Sequence, residues 1–197
     1  AGPQSFFHLQ GESNSMSADS PHLYLIGYRG TGKSTVAKLL GNALSLPVWD
    51  SDREIETRSN STIKAIFDQR GEAAFRDLEE AVVRDLSSGE TAIIALGGGA
   101  ILRESTRKTI LETGLCVWLT ASPRTLSKRI RSDAASRHTR PALTTEQSDL
   151  REIETVLNAR VPLYQQASDF EVSTESADCD ALASQIAAWY RTQSQSR

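Results

Sequence analysis

Cysteine is scarce in this chain, with only Cys116 and Cys179 among 197 residues. Cys116 lies in the apolar run Leu115–Leu119 and Cys179 in a distant acidic stretch. Neither has the spacing of a metal site, and one pair is no disulfide framework. Two free thiols in a reducing cytosol are expected, and with them a cytoplasmic protein. Long apolar runs are lacking too. None approaches the roughly 20 residues that cross a bilayer. A secretory leader is not expected, because the first Lys or Arg is Arg29 and Phe6-Phe7 is too short an apolar stretch. Excess positive charge is also absent: 22 Lys and Arg against 25 Asp and Glu leave a net charge of −3. The molecule as a whole offers no field for nucleic acid or an anionic membrane, so any bound anion needs locally placed cations. The single methionine is Met16. Residues 1–21 are Ser-, Gly-, Asn- and Gln-containing and without periodicity, so a disordered tail is expected, with residues 1–15 ahead of Met16 not native.

What is present suits one domain. The apolar fraction of 39% and charged fraction of 24% are ordinary for a globular protein, and the length is enough for a sizeable core. From residue 22 to 192, apolar strand-like runs alternate with helical patterns. His22–Ile26, Leu46–Trp49, Ala92–Leu96, Cys116–Leu119 and Phe170–Val172 read as strands. Between them, Val36, Ala37, Leu39, Leu40, Ala43 and Leu44 recur at helical spacing. Ser61 caps a short helix that Gly71 breaks, and Phe75, Leu78, Val82, Val83 and Leu86 form the inward side of the next. Further helices are expected over Ser105–Glu112, from Pro123 to Ile130, over Glu146–Ala159 and over Leu182–Tyr190. Residues 132–148 lack an apolar face and read as a surface lid. Five strands alternating with helices predict an α/β fold with a doubly wound parallel sheet.

The strongest single motif is Gly27–Thr35, GYRGTGKST. Gly27, Gly32, Lys33 and Ser34 fill every fixed position of G-x-x-x-x-G-K-[ST]. A chance match is expected in fewer than about one chain in a hundred, and here the motif follows a strand and opens a helix. Glycines turn backbone N–H groups inward as a nest for phosphate oxygens, and the helix directs its positive end there. Gly30, Thr31, Gly32, Lys33, Ser34 and Thr35 are therefore the candidate ATP-binding residues. Lys33 is placed on the β- and γ-phosphates and Ser34 on Mg²⁺.

The acceptor side is less determinate. Asp50 and Asp52 follow the second strand; one carboxylate could serve a metal and the other a hydroxyl, or either could cap a helix beginning near Arg53. Gly97-Gly98-Gly99 follows a buried strand as a tight turn or as a place where a ligand nears the backbone. Arg76 and Arg160 fit a solvated helix face or, if they converge, a carboxylate held by two guanidinium forks.

The order GYRGTGKST, DSD (Asp50–Asp52), GEAAFRDLE (Gly71–Glu79), GGG, RP (Arg140-Pro141) and ARVPLY (Ala159–Tyr164) resembles the shikimate kinase family over about His22 to Tyr190. The resemblance implies a P-loop NTPase-type three-layer fold and transfer of the γ-phosphate of ATP to the 3-hydroxyl of shikimate, on the route to chorismate and the aromatic amino acids. It implies that Asp52, Arg76, Gly97, Gly98, Gly99 and Arg160 hold shikimate, with Asp52 facing the 3-hydroxyl. It further implies that Asp50 steadies Mg²⁺ through water, that Arg140 closes over ATP as a lid and joins Lys33 and Asp52 as catalytic, and that Arg129 lies against the adenine. A monomer is expected by the same resemblance. The stretch from Arg129 to Arg140 is longer than in typical members, which bears on Arg129 and Arg131.

Two other enzyme or binding readings stand beside this one: a kinase for another small hydroxy acid such as gluconate, and a non-catalytic shikimate-binding relative. Lys33, both aspartates and both arginines are all present, which argues against the silent relative. A nucleotide-driven switch is disfavoured because the strand ending at Leu96 runs into glycines rather than a Walker B aspartate.

Overall fold

The computed structural model describes residues 20–133, 146–175 and 178–196, with only the backbone for 146–149. Five parallel strands form one sheet: β1 (His22–Ile26), β2 (Val48–Asp50), β3 (Ile93–Ala95), β4 (Gly114–Thr120) and β5 (Phe170–Ser173), in the order β2-β3-β1-β4-β5. Seven α-helices are described: α1 (Lys33–Leu44), α2 (Ser51–Ser59), α3 (Ile63–Ser87), α4 (Glu104–Thr113), α5 (Pro123–Ser132), α6 (Glu146–Ala167) and α7 (Cys179–Ser194).

Alternation along β1 sorts the core into two layers. Leu23 and Leu25 pack with Val36, Leu40, Leu182 and Ile186 under α1 and α7. Tyr24 and Ile26 face the other way, into a cluster with Ile55, Phe75, Val83, Ile110 and Tyr164. A smaller cluster of Tyr28, Leu126, Ile130 and Ile153 seats α5 and α6 beside the phosphate loop. β1 is the central strand, in register with β3 (Tyr24 opposite Ile94) and β4 (Tyr24 opposite Cys116). The chain completes β2 and β3 on one side of β1 before crossing to β4. The carboxyl ends of β1 and β3 therefore open onto the crevice where such sheets bind ligands.

β1 starts and stops as the hydrophobic pattern predicts; several other boundaries move. β2 is shifted to Val48–Asp50, an edge strand with Val48 and Trp49 exposed. α2 begins at Ser51 rather than near Arg53, because Asp50 caps it by accepting from the N–H groups of Asp52 and Arg53. Thr62, not Ser61, caps α3, its hydroxyl accepting from Ala65 N–H. Gly71, with φ 78° and ψ 172°, divides α3 as expected. Ala43 is exposed, not inward. α6 runs eight residues past the expected Ala159, straight through Pro162, to Ala167. Proline in a helix interior forfeits a hydrogen bond, but burial of Tyr164 and Ala167 on the far side carries the helix on. α7 begins at Cys179 because Asp178 caps it.

Cys116 is buried and Cys179 exposed, both as free thiols. No helix among the described residues is long and apolar enough to cross a membrane.

Candidate active site

The phosphate loop links β1 to α1. Gly32, at φ 88°, is the N-cap of α1, a left-handed conformation that glycine adopts without strain. No side chain caps α1, and its first turn holds no acidic residue. The leading N–H groups and the positive end of the helix are thus directed at the cavity. Lys33 Nζ donates to the carbonyls of Gly27 (2.7 Å) and Tyr28 (3.0 Å), and the buried Thr31 hydroxyl donates to Tyr28 C=O (2.8 Å). The loop is braced from within by the residues that its motif supplies.

Ser34 Oγ donates to Asp50 Oδ2 at 2.8 Å. Of the roles open to it from sequence Asp50 takes the helix cap with one carboxylate oxygen, while the other meets the P-loop serine. The acid that meets Ser34 comes from the edge strand β2, with β3 lying between it and β1. A hydroxyl and a carboxylate side by side, both hard oxygen donors, suit Mg²⁺ held by few protein ligands together with phosphate oxygens.

Asp52 lies in the first turn of α2 and turns towards the glycine loop. A Cβ on Gly97 would stand 2.5 Å from Asp52 Oδ1 and 2.8 Å from Glu79 Oε1. A Cβ on Gly99 would strike the Arg76 guanidinium, 2.5 Å from its Nη2. At either position a Cβ would have to push aside the end of a site side chain, a carboxylate or a guanidinium. Between the two aspartates, buried Ser51 accepts from Gly97 N–H at 2.9 Å and ties α2 to the loop.

Arg76 and Arg160 converge. Arg76, on α3, donates to Glu79 Oε2 at 2.5 Å, and its Nη2 lies 3.2 Å from Glu72; its side chain is only 13% exposed. Arg160, on α6, donates to Gly98 C=O at 2.9 Å and lies over the ring of Tyr28, 5.9 Å from its centroid. The two arginines, Gly98 and Gly99 line a cavity of about 200 Å³ walled by Ile63, Phe67 and Phe75. A second cavity, of about 320 Å³, holds Lys33, Ser34, Asp50, Asp52 and Gly97. Gly98 and Ile63 line both.

Three contributors escaped the sequence reading. Glu79 is 3% exposed and pairs with Arg76, one helical turn before it. Tyr164 donates from its hydroxyl to Gly98 C=O at 2.6 Å and stacks on Trp118. Burial pushes its pKa up to about 12, against the opposing pull of Arg160, so the hydroxyl stays a donor. Ser51 left no signal beyond its place in DSD.

Arg129 is pinned rather than extended. Its guanidinium donates to Thr174 Oγ1 (2.9 Å), Thr174 C=O (2.6 Å) and Gly30 C=O (3.3 Å), which joins α5 to the end of β5 and the phosphate loop. Beside it, Glu175 accepts from Thr125 and Ser122, and these hydrogen bonds lower its pKa to about 2. Arg140 and most of the expected lid lie outside the described residues.

The family model for shikimate kinase matches residues 29–191. A shikimate kinase from Rhodopirellula baltica is 45% identical over 165 residues, covering 84% of this chain and 88% of that protein. One from Burkholderia pseudomallei is 38% identical over 173 residues, covering 87% and 91%. Among solved structures, the shikimate kinase of Acinetobacter baumannii in complex with shikimate superposes with a TM-score of 0.81 at 31% identity, covering 89% of this chain and 96% of that one. With the phosphate loop, the DSD turn and the converging arginines in one crevice, these matches agree with the geometry, and the chain belongs to the shikimate kinase family.

Proposed function

We propose that the two joined cavities are the two halves of one phosphotransfer site, ATP in the larger and shikimate in the smaller, with the 3-hydroxyl of shikimate as acceptor. The observation that carries this is the shared wall at Gly98, which sets Asp52 and Lys33 on one side and Arg76 and Arg160 on the other.

Arg76 and Arg160 bind the acceptor carboxylate, their planar forks suited to paired hydrogen bonds. Glu79 holds Arg76 in place, and the Gly98 carbonyl does the same for Arg160. Asp52 receives the hydroxyl that attacks phosphorus in line, and accepts its proton late, since a loose transition state asks little of a base. Lys33 and the N–H groups at the start of α1 take up charge on the phosphates. Ser34 and Asp50 would hold Mg²⁺, which neutralises phosphate charge when bound. Arg129 stands at the nucleotide end, and Arg140, by the family resemblance of Arg140-Pro141, closes over ATP. The protein is taken to act as a cytoplasmic monomer.

A coupled assay of ADP release with and without shikimate tests the reading. Turnover is expected only with shikimate, and gluconate in its place should leave the background unchanged. Shikimate-independent hydrolysis at a similar rate would overturn it.

A further inference from the structure

Arg29 takes no part in the proposed transfer, yet it lines the larger cavity and its backbone N stands against Gly98, which lines both cavities. It is the third residue of the phosphate loop and lines the larger cavity with Lys33, Ser34, Asp50 and Asp52. Its Nε is buried and has no hydrogen-bond partner among the described residues. A buried guanidinium N–H without an acceptor is a cost that a ligand able to accept would remove. Asp50, which lines the same cavity, is already engaged by Ser34 and the α2 amides.

The neighbours of Arg29 define which ligand atom it meets. Tyr28 carries the Arg160 guanidinium on its ring, so the chain just before Arg29 belongs to the acceptor side. Gly30 backs onto α5, where a Cβ would lie 3.2 Å from Ile130 Cγ1. The backbone N of Arg29 itself is 3.4 Å from where a Gly98 Cβ would stand, in the wall between the cavities. The amide nest and Lys33 lie further along the loop, towards α1. The backbone of Arg29 therefore stands at the side of the larger cavity nearest the acceptor cavity.

We infer that Arg29 binds the phosphoryl group in transit, first as the γ-phosphate of ATP and then as the phosphate of the product. This rests on the placement of nucleotide in the larger cavity. Binding titrations with Mg²⁺ test it, using ADP and a non-hydrolysable ATP analogue against the wild type, Arg29→Met and Arg29→Lys. Losing a charge-assisted contact should weaken analogue binding by roughly tenfold in Arg29→Met while ADP stays within about twofold, with Arg29→Lys between. In the same variants kcat should fall at least about tenfold, and the KM for shikimate should change little. Equal losses for ADP and analogue, or no loss for either, overturn the assignment. A raised shikimate KM with an unchanged analogue-to-ADP ratio also overturns it, since Arg29 then acts on the acceptor side through Asp52. Thermal unfolding of each variant guards against misfolding, and Arg29→Lys retains the charge should Arg29→Met unfold. Amide resonances of Gly32–Thr35 separate the two levels of failure: if ADP leaves them unmoved, the nucleotide placement itself is wrong.

Discussion

The nucleotide half and the acceptor half of this site are built in opposite ways. Nine consecutive residues, Gly27–Thr35, form the phosphate loop, and its internal contacts are all local: Lys33 to Gly27 and Tyr28, Thr31 to Tyr28. The acceptor half draws Asp52 from α2, Arg76 and Glu79 from α3, three glycines from the end of β3, and Arg160 and Tyr164 from α6. It exists only once α6 has packed against the sheet. A local turn can be recognised by its spacing alone, whereas a site assembled across more than a hundred residues depends on the whole fold. The halves should therefore fail differently when single groups are removed.

The largest effect is expected at Asp52, which lies in the nucleotide cavity but serves the acceptor. Asp52→Asn keeps the shape and removes the proton acceptor, so kcat should fall by at least roughly a hundredfold, with the KM for ATP nearly unchanged. Steady-state kinetics in both substrates would measure this. Near-normal kcat would remove Asp52 from proton transfer and break the division drawn here.

Next comes Arg160. Lysine in its place cannot make the paired contact with a carboxylate or span from Gly98 C=O to the Tyr28 ring as a flat fork. Arg160→Lys should raise the KM for shikimate roughly tenfold to a hundredfold, the worth of a charged hydrogen bond, and the KM for ATP less than about twofold. A parallel rise in both would mean that the halves are not separable at this residue.

Tyr164→Phe asks how far the acceptor half depends on its support. The variant deletes one hydroxyl that holds Gly98 C=O at 2.6 Å and leaves the stacking on Trp118 in place. A buried hydrogen bond of about 1 kcal/mol corresponds to about a fivefold rise in the shikimate KM if its loss falls on the loop geometry. An unchanged KM with only a lower Tm would make Tyr164 a purely structural residue.

The same contrast explains what was legible in the sequence. GYRGTGKST located the loop, and short apolar runs located all five strands though not all of their ends, because both signals are local. Helix ends set by side chains proved harder: the Asp50 cap moved the start of α2, and the burial of Tyr164 carried α6 past Pro162. Asp52 and Gly98 each had an equally good bland reading in isolation and Arg76 and Arg160 a better one, and only their joint order resembled a known family. Glu79 and Ser51 are polar residues whose burial is decided by elements distant in sequence, Gly97 above all, so no local pattern marks them.

The smallest effect should fall on neither half. At the opposite end of β1, His22 sits buried with Ala92 N–H pointing at its Nδ1 (3.2 Å) and its Nε2 3.2 Å from Ser87 C=O. That pair of partners fits the neutral ring with the proton on Nε2. Burial lowers its pKa below the usual 6.5, outweighing the two backbone contacts. The unfolded chain then takes up a proton as pH falls below about 6.5 while the folded one does not, so the contribution of His22 is complete above that pH and is lost on acidification. His22→Asn supplies a side-chain oxygen to Ala92 N–H and cannot titrate. Its Tm should fall less steeply than that of the wild type between about pH 7.5 and pH 5.5, with both KM values unchanged at neutral pH. Parallel Tm profiles would show that His22 does not set the acid limit of the fold. A shifted KM for either substrate would show that the two ends of β1 communicate, and that the division of the molecule runs along the strand as well as across the site.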